Sequence, residues 1–438
     1  MQDPRGVPVT CPHPSALDAF ETALESYQTY VGDPVAMIDP AVGAFPDFVM
    51  GHVLKAGVLM TAGERRLVPD ARASIQRAEA LASRANDRER GLIRATRQLV
   101  DGDMHGACAA YDRVLVDYPR DAFALQTAHL FDFYRGDALN LRNRVSRVMP
   151  HWSPNVPGYS YVLGMHAFGF EECNQYPEAE AAGRRALEME PRDGWAVHAV
   201  THVMEMQGRI DEGIDWLESR APDWSPGNGF AFHNWWHLAL YRLDRHEHDA
   251  ALALYDRSIY PEPLDACLVL VDATSLLWRL SLESVSLGDR PATLAGVWRR
   301  RIGERGFYAF NDVHATMAFA LAGDSGAARD TVEAMQIAAS AGHGTNCTMS
   351  REVGAPLGQA IVDFADGDYA GTIEHALPVR DHAHVLGGSH AQRDLITLTL
   401  IEAAVRSGQK ALARHLIAER LVHKPRSQWG ERLMARAA

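Results

Sequence analysis

Ten times along this chain a helix-stopping residue recurs after 34 to 44 residues, and that recurrence constrains the fold more than any other feature. The stops are Gly63, Gly102, Gly136, Asn174, Gly208, Arg245, Gly288, Gly323, Gly367 and Gly408, at intervals of 39, 34, 38, 34, 37, 43, 35, 44 and 41 residues. Glycine ends a helix by entering a left-handed conformation that other residues resist. Each interval has room for two helices and two turns. No run alternates apolar and polar residues with period two, and neither a dinucleotide-binding glycine motif nor a phosphate loop is present. The expectation is an all-α solenoid of about ten helical pairs, each burying its neighbour's face. Aliphatic and aromatic residues make up 47% of the 438 residues, enough for a continuous interior. Residues 1–47 read as an N-terminal segment with one helix, Ser15 to Tyr30, and a Pro-rich loop over Asp33–Asp47. Residues 48–420 read as the array, and 421–438 as a C-terminal tail. The first fourteen residues are expected to be loose.

The best internal match sets PRDAFALQTAHLFDFYRGD at Pro119 against PRDGWAVHAVTHVMEMQGR at Pro191, two repeats apart. Two intervals have the 34-residue tetratricopeptide period. The segments DFVMGHVLKAG, DYPRDAFALQTAHLFDFYRGD, HAVTHVMEMQGR, WWHLALYRLDRHEHDAALALYD, DATSLLWRL and GGSHAQRDLI, in that order, resemble the tetratricopeptide repeat protein 38 family over roughly residues 15 to 420. The resemblance implies the solenoid and lends no mechanism.

Composition narrows the partners. A formal net charge of −13 with no basic stripe argues against nucleic acid and anionic membrane. Five scattered cysteines form neither a disulfide framework nor a thiolate zinc set. The N-terminus lacks a signal-peptide core, and the apolar runs are too short to span a bilayer, so a cytoplasmic protein is expected. A homo-oligomer is left open.

In tetratricopeptide repeats the first helix of each pair lines the concave groove. Before Gly208 its groove slots hold Trp195, His198, His202 and Glu205, spaced 3, 4 and 3 residues apart and therefore on one helical face. The same register gives Tyr161, Phe168 and Glu171 before Asn174, then Phe232, Trp235 and Arg242, then Trp278, then Phe310. Aromatic walls around a few directed polar groups describe a small-molecule site. His198 and His202 at i,i+4 can share a divalent metal, the one cofactor the pattern suggests, with Glu205 as third ligand or base; His233 and His237 are a second such pair. GGSHAQRD offers backbone N–H groups for an anion, Arg393 a charge and His390 a proton. Each group also has a structural reading: histidines bonded within the stack, GGSH as a tight turn with an Arg393–Asp394 network, Asp312 and His314 as a local polar contact, His52 as a core residue. Cys267 and Cys347 lack a local histidine partner.

Three functions follow. The default is a binding module for a small, partly apolar molecule or a peptide. The second is an enzyme using His198, His202, Glu205 and His390 for acid-base or metal-assisted hydrolysis. The third is a scaffold whose histidines are structural. If the array winds strongly, GGSHAQRD approaches the central histidines.

Overall fold

The computed structural model describes Met1–Ala438 and is all-α: helices in consecutive pairs, with two isolated bridges, Gln2 to Pro8 and Val31 to Asn228, and no β-strand. Ten pairs run from Val49–Thr61 with Val68–Ala80 to His390–Arg406 with Lys410–His423, a tetratricopeptide-type solenoid. A further pair, Pro14–Thr29 with Pro34–Ala44, precedes them, and Gln428–Ala437 follows. No helix is long and apolar enough to cross a membrane.

The stops act as expected at most positions. Gly63, Gly102, Gly136, Asn174, Gly208, Gly323, Gly367 and Gly408 all have positive φ. Two stops are misplaced. His246, at φ 64°, replaces Arg245, and Ser284, at φ 61°, ends Cys267–Leu282 ahead of Gly288. The corrected intervals there are 38, 38 and 39 residues, so the spacing is more regular than glycine alone suggests.

Three local expectations are corrected. Residues 1–14 are held: Asp3 bonds Arg5, Arg5 pairs with Glu21, and the Val7 and Val9 side chains are buried. The Asp33–Asp47 stretch contains the helix Pro34–Ala44, because Asp33 caps it and Pro34 occupies its first turn, where no N–H is needed. Pro40 lies inside it. Beyond residue 420 the chain is not a plain tail: Ser427 caps Gln428–Ala437, which buries Trp429 and Leu433.

Two compact units result. The first comprises Met1–Val200 and Pro222–Ala231, the second Thr201–Ala221 and Phe232–Ala438. In the first, Phe20, Phe48, Phe123, Phe131 and Phe168 are fully buried, and Arg88 and Arg144 are buried against Asp121 and Asp132. In the second, buried Trp236, Trp278 and Trp298 donate to Ser275, Thr399 and Thr274, so each large apolar side chain also satisfies its one polar atom. Helices Ala309–Leu321, Ser325–Ala339 and Ala355–Asp366 pack as a layered set beside them. In Thr345–Asp366 a π-turn at Ser350–Gly354 interrupts the α-helical path.

Candidate functional site

The polar centre of the second unit begins on the last turn of Gly194–Met206, which carries His202 and Glu205. The helix stops at Gly208, where φ is 67° and a side chain would overlap the Pro425 carbonyl. Glycine is therefore required twice there, for the turn and for close approach of the C-terminal segment. The next helix, Ala231–Asp244, presents His233 and His237 one turn apart. His237 Nδ1 lies 3.0 Å from Glu205 Oε2, and His233 Nδ1 lies 2.6 Å from Asp272 Oδ2 on Cys267–Leu282. The His237 ring centroid is 4.4 Å from that of His202 and 4.9 Å from that of His233.

The other Glu205 oxygen accepts from Lys424 Nζ at 2.6 Å across 219 residues of sequence. Lys424 is also 3.3 Å from Asp394, which receives Arg420 Nε and Nη2, both at 2.8 Å. Arg420 further donates to Ser427, whose hydroxyl donates to Asp244. Burial alone would raise Glu205's carboxyl, but Lys424 and the His237 bond hold it well below the carboxylate range. Burial would likewise raise Asp394, and Arg420 and Lys424 push it down instead. Lys424 is raised: its burial opposes the charge, yet Asp394 and Glu205 outweigh it. Burial pushes His237 down to about 4 despite Glu205, so near neutral pH this ring is uncharged. Its Nδ1–H then donates to the Glu205 carboxylate.

A cleft of about 400 Å³ opens beside this network. Arg380, His384, His390, Arg393, His423 and Lys424 line it, with Asp381, Asp394 and Glu419. GGSHAQRD thus reaches the Glu205 network through Asp394 and Lys424, while His390 and Arg393 stand on the cleft wall. Its turn is already capped: Ser389 Oγ accepts from the Gln392 N–H, and Gln392 accepts from the Ser389 N–H. A side chain at Gly388 would lie 2.6 Å from Phe310, so this glycine serves packing. Two of the backbone donors expected for an anion, the Ser389 and Gln392 N–H groups, are thus engaged within the turn itself.

In the first unit, Trp195 is the hub of an aromatic cluster. Its ring is 5.0 Å from Phe168, 5.0 Å from His198, 5.2 Å from Phe230 and 5.8 Å from Tyr30. Trp195, Phe168 and His198 are buried, as is Glu171, while Tyr161 is half-buried. His198, one helical turn before His202, belongs to this cluster's side of the chain.

The one-residue shift at His246 also moves the next stripe. The slots read as Phe232, Trp235 and Arg242 become His233, Trp236, Leu240 and Leu243. Arg242 pairs instead with Glu218 and Glu247, and Trp235 is half-buried. Trp278 moves from the second slot to the third once Ser284 is the stop, and it is a buried donor to Thr399. His52 bonds the Pro46 carbonyl, His314 the Phe310 carbonyl, and Asp312 accepts the Gly306 N–H, all local structural roles. Cys267 and Cys347 are buried.

Lys424, Arg420 and Asp272 were absent from the sequence reading, which placed Asp394 in a network with Arg393, whereas its ion-pair partners are Arg420 and Lys424. One signal pointed to Lys424: among 43 basic residues only Lys55, Lys410 and Lys424 are lysines.

No family model matches the chain. Among solved structures, the human IFIT1 dimer with m7Gppp-AAAA gives a TM-score of 0.43 at 13% identity, covering 95% of this chain and 98% of that one. The APC/C hetero-tetramer Cut9-Hcn1 gives 0.42 at 10%, covering 96% and 83%. Yeast Tom70 gives 0.32 at 12%, covering 97% and 86%. With TM-scores below 0.5 and identities of 10–13%, these likenesses carry no argument about this chain.

Proposed function

We propose that the second unit binds a small acidic molecule, a carboxylate or phosphate ester, in the cleft beside Lys424, and that the chain is a member of the tetratricopeptide repeat protein 38 family. The observation that carries the binding reading is the cleft floor. Lys424 and Arg420 are fixed by Glu205 and Asp394 on helices, so charged groups are positioned before any ligand arrives. Preorganised charge avoids the entropy of ordering long side chains on binding. The volume of about 400 Å³ suits a small molecule rather than a long peptide. His384, His390 and His423 add ring nitrogens to the lining of the cleft that can hydrogen-bond an anion.

The test is thermal-shift titration of the whole chain with citrate, inorganic phosphate and PPP-AAAA. Stabilisation by citrate or phosphate supports the reading. Stabilisation by PPP-AAAA alone would replace it with a nucleic-acid reading, and no shift with any probe would refute it. A second reading, chemistry on the bound molecule, is favoured by one observation: Glu205 connects the cleft lysine to the neutral His237, a base-bearing chain that ends at buried imidazoles.

A further inference from the structure

We propose that His202, His233 and His237 form a three-imidazole site for a divalent late first-row metal of the zinc class, oriented by Glu205 and Asp272. The site lies within the second unit and stands independently of the acidic-ligand reading. One nitrogen from each of the three rings falls within 4.8 Å of the others, and all three residues are buried. Tetrahedral zinc with Zn–N distances of about 2.0–2.1 Å places such nitrogens about 3.3 Å apart, a closure within reach of small ring rotations.

The hydrogen bonds select the coordinating atoms. The Nδ1–H of His237 goes to Glu205 and that of His233 to Asp272, leaving each Nε2 as the lone-pair nitrogen. Carboxylates bonded behind imidazoles are the usual means of fixing ring orientation and tautomer in metal sites. Trp236 stacks on His233 at 5.2 Å with planes 16° apart and is itself held by Ser275, so that ring is braced on its face as well.

A structural pairing of histidine with carboxylate explains each Nδ1 contact but not the convergence. Imidazole donors favour zinc, copper, nickel or cobalt over magnesium or calcium. Glu205 would then join the metal, through His237, to Lys424 at the cleft.

The test loads the full chain with Zn2+ and Co2+ and measures stoichiometry after dialysis, with affinity from chelator competition. One metal per chain is expected, and Co2+ should show the intense visible absorption of a tetrahedral site. His202→Ala with His237→Ala should abolish that uptake. Asp272→Asn should weaken affinity about 10- to 100-fold, as loss of a carboxylate behind a ligating histidine does. Should these variants fail to fold, X-ray absorption on the Zn2+-loaded wild type decides, with three nitrogen neighbours at about 2.0–2.1 Å expected. No specific uptake would overturn the proposal, as would uptake that survives in the double variant and disappears with His246→Ala and His248→Ala. The latter result would place the metal at the His246, His248 and Glu283 cluster.

Discussion

Replacing Lys424 by methionine removes the one ammonium that two buried carboxylates share. Its nitrogen lies 2.6 Å from Glu205 and 3.3 Å from Asp394. Asp394 retains Arg420, so the larger loss falls on Glu205, whose remaining partner is the uncharged His237 ring. Removing one partner of a buried pair costs about 3–5 kcal/mol, because the other charge stays desolvated. For a unit of about 150–250 residues, where each kcal/mol moves Tm by about 2–4 °C, the drop is about 6–20 °C.

The pH dependence identifies the cause. In the wild type Glu205 and Asp394 are depressed, so their contribution is full above the unfolded carboxylate value and fades as pH falls. In Lys424→Met, burial is left to raise Glu205, so the variant relieves its penalty by taking a proton as pH falls. The gap between the two proteins should therefore narrow from pH 7.5 to pH 5 in calorimetric scans. Adding Glu205→Gln to the variant should restore part of the loss. A drop below about 1 kcal/mol, or a gap unchanged between the two pH values, would refute the reasoning.

Gly208→Ala should cost more than the roughly 1 kcal/mol of a left-handed alanine, because its side chain would also strike the Pro425 carbonyl; the same substitution at Gly102, with φ 84° and open space around it, should cost only the conformational part in chemical denaturation. Burial lowers His129 to about 3 and His314 to about 4, against an unfolded value near 6.5. Their neutral forms contribute stability in full above about pH 6.5 and lose it as pH falls toward 4. At about 1.4 kcal/mol per pKa step, each loses roughly 3 kcal/mol, so the melting temperature followed by circular dichroism should fall between pH 6.5 and pH 4; a melting temperature unchanged over that range would contradict these directions.

Much of the architecture was legible because left-handed stops are chemically selective. Nine of the ten expected stops adopt that conformation, and all of them but Gly288 mark the end of the first helix of a pair. The misses have a shared cause: His246 and Ser284 adopt positive φ without being glycine, so no glycine marks them in the sequence. The one-residue shift at His246 hid His233 and Trp236 from the stripe that contains Trp195 and Glu205. Pro34–Ala44 was lost to the opposite bias, since proline stops helices in their middle but starts them readily.

The candidate site was half legible. Helical spacing showed that His202 and Glu205 share a face and that His233 and His237 share another, because that is local geometry. The partners of those side chains were not, because Asp272, Asp394, Arg420 and Lys424 arrive from helices dozens to hundreds of residues away. Only the rarity of lysine marked Lys424.

Calorimetric titration of citrate into the wild type, Arg393→Gln and His390→Ala at pH 7.5 tests the central claim most directly. Arg393 and His390 stand on the cleft wall, outside the Glu205–Lys424–Asp394 chain of ion pairs. The account predicts one site per chain, weakened about tenfold by Arg393→Gln, the worth of one charge-assisted hydrogen bond, and less by His390→Ala. Equal affinity in all three proteins, or no heat of binding in the wild type, would contradict it.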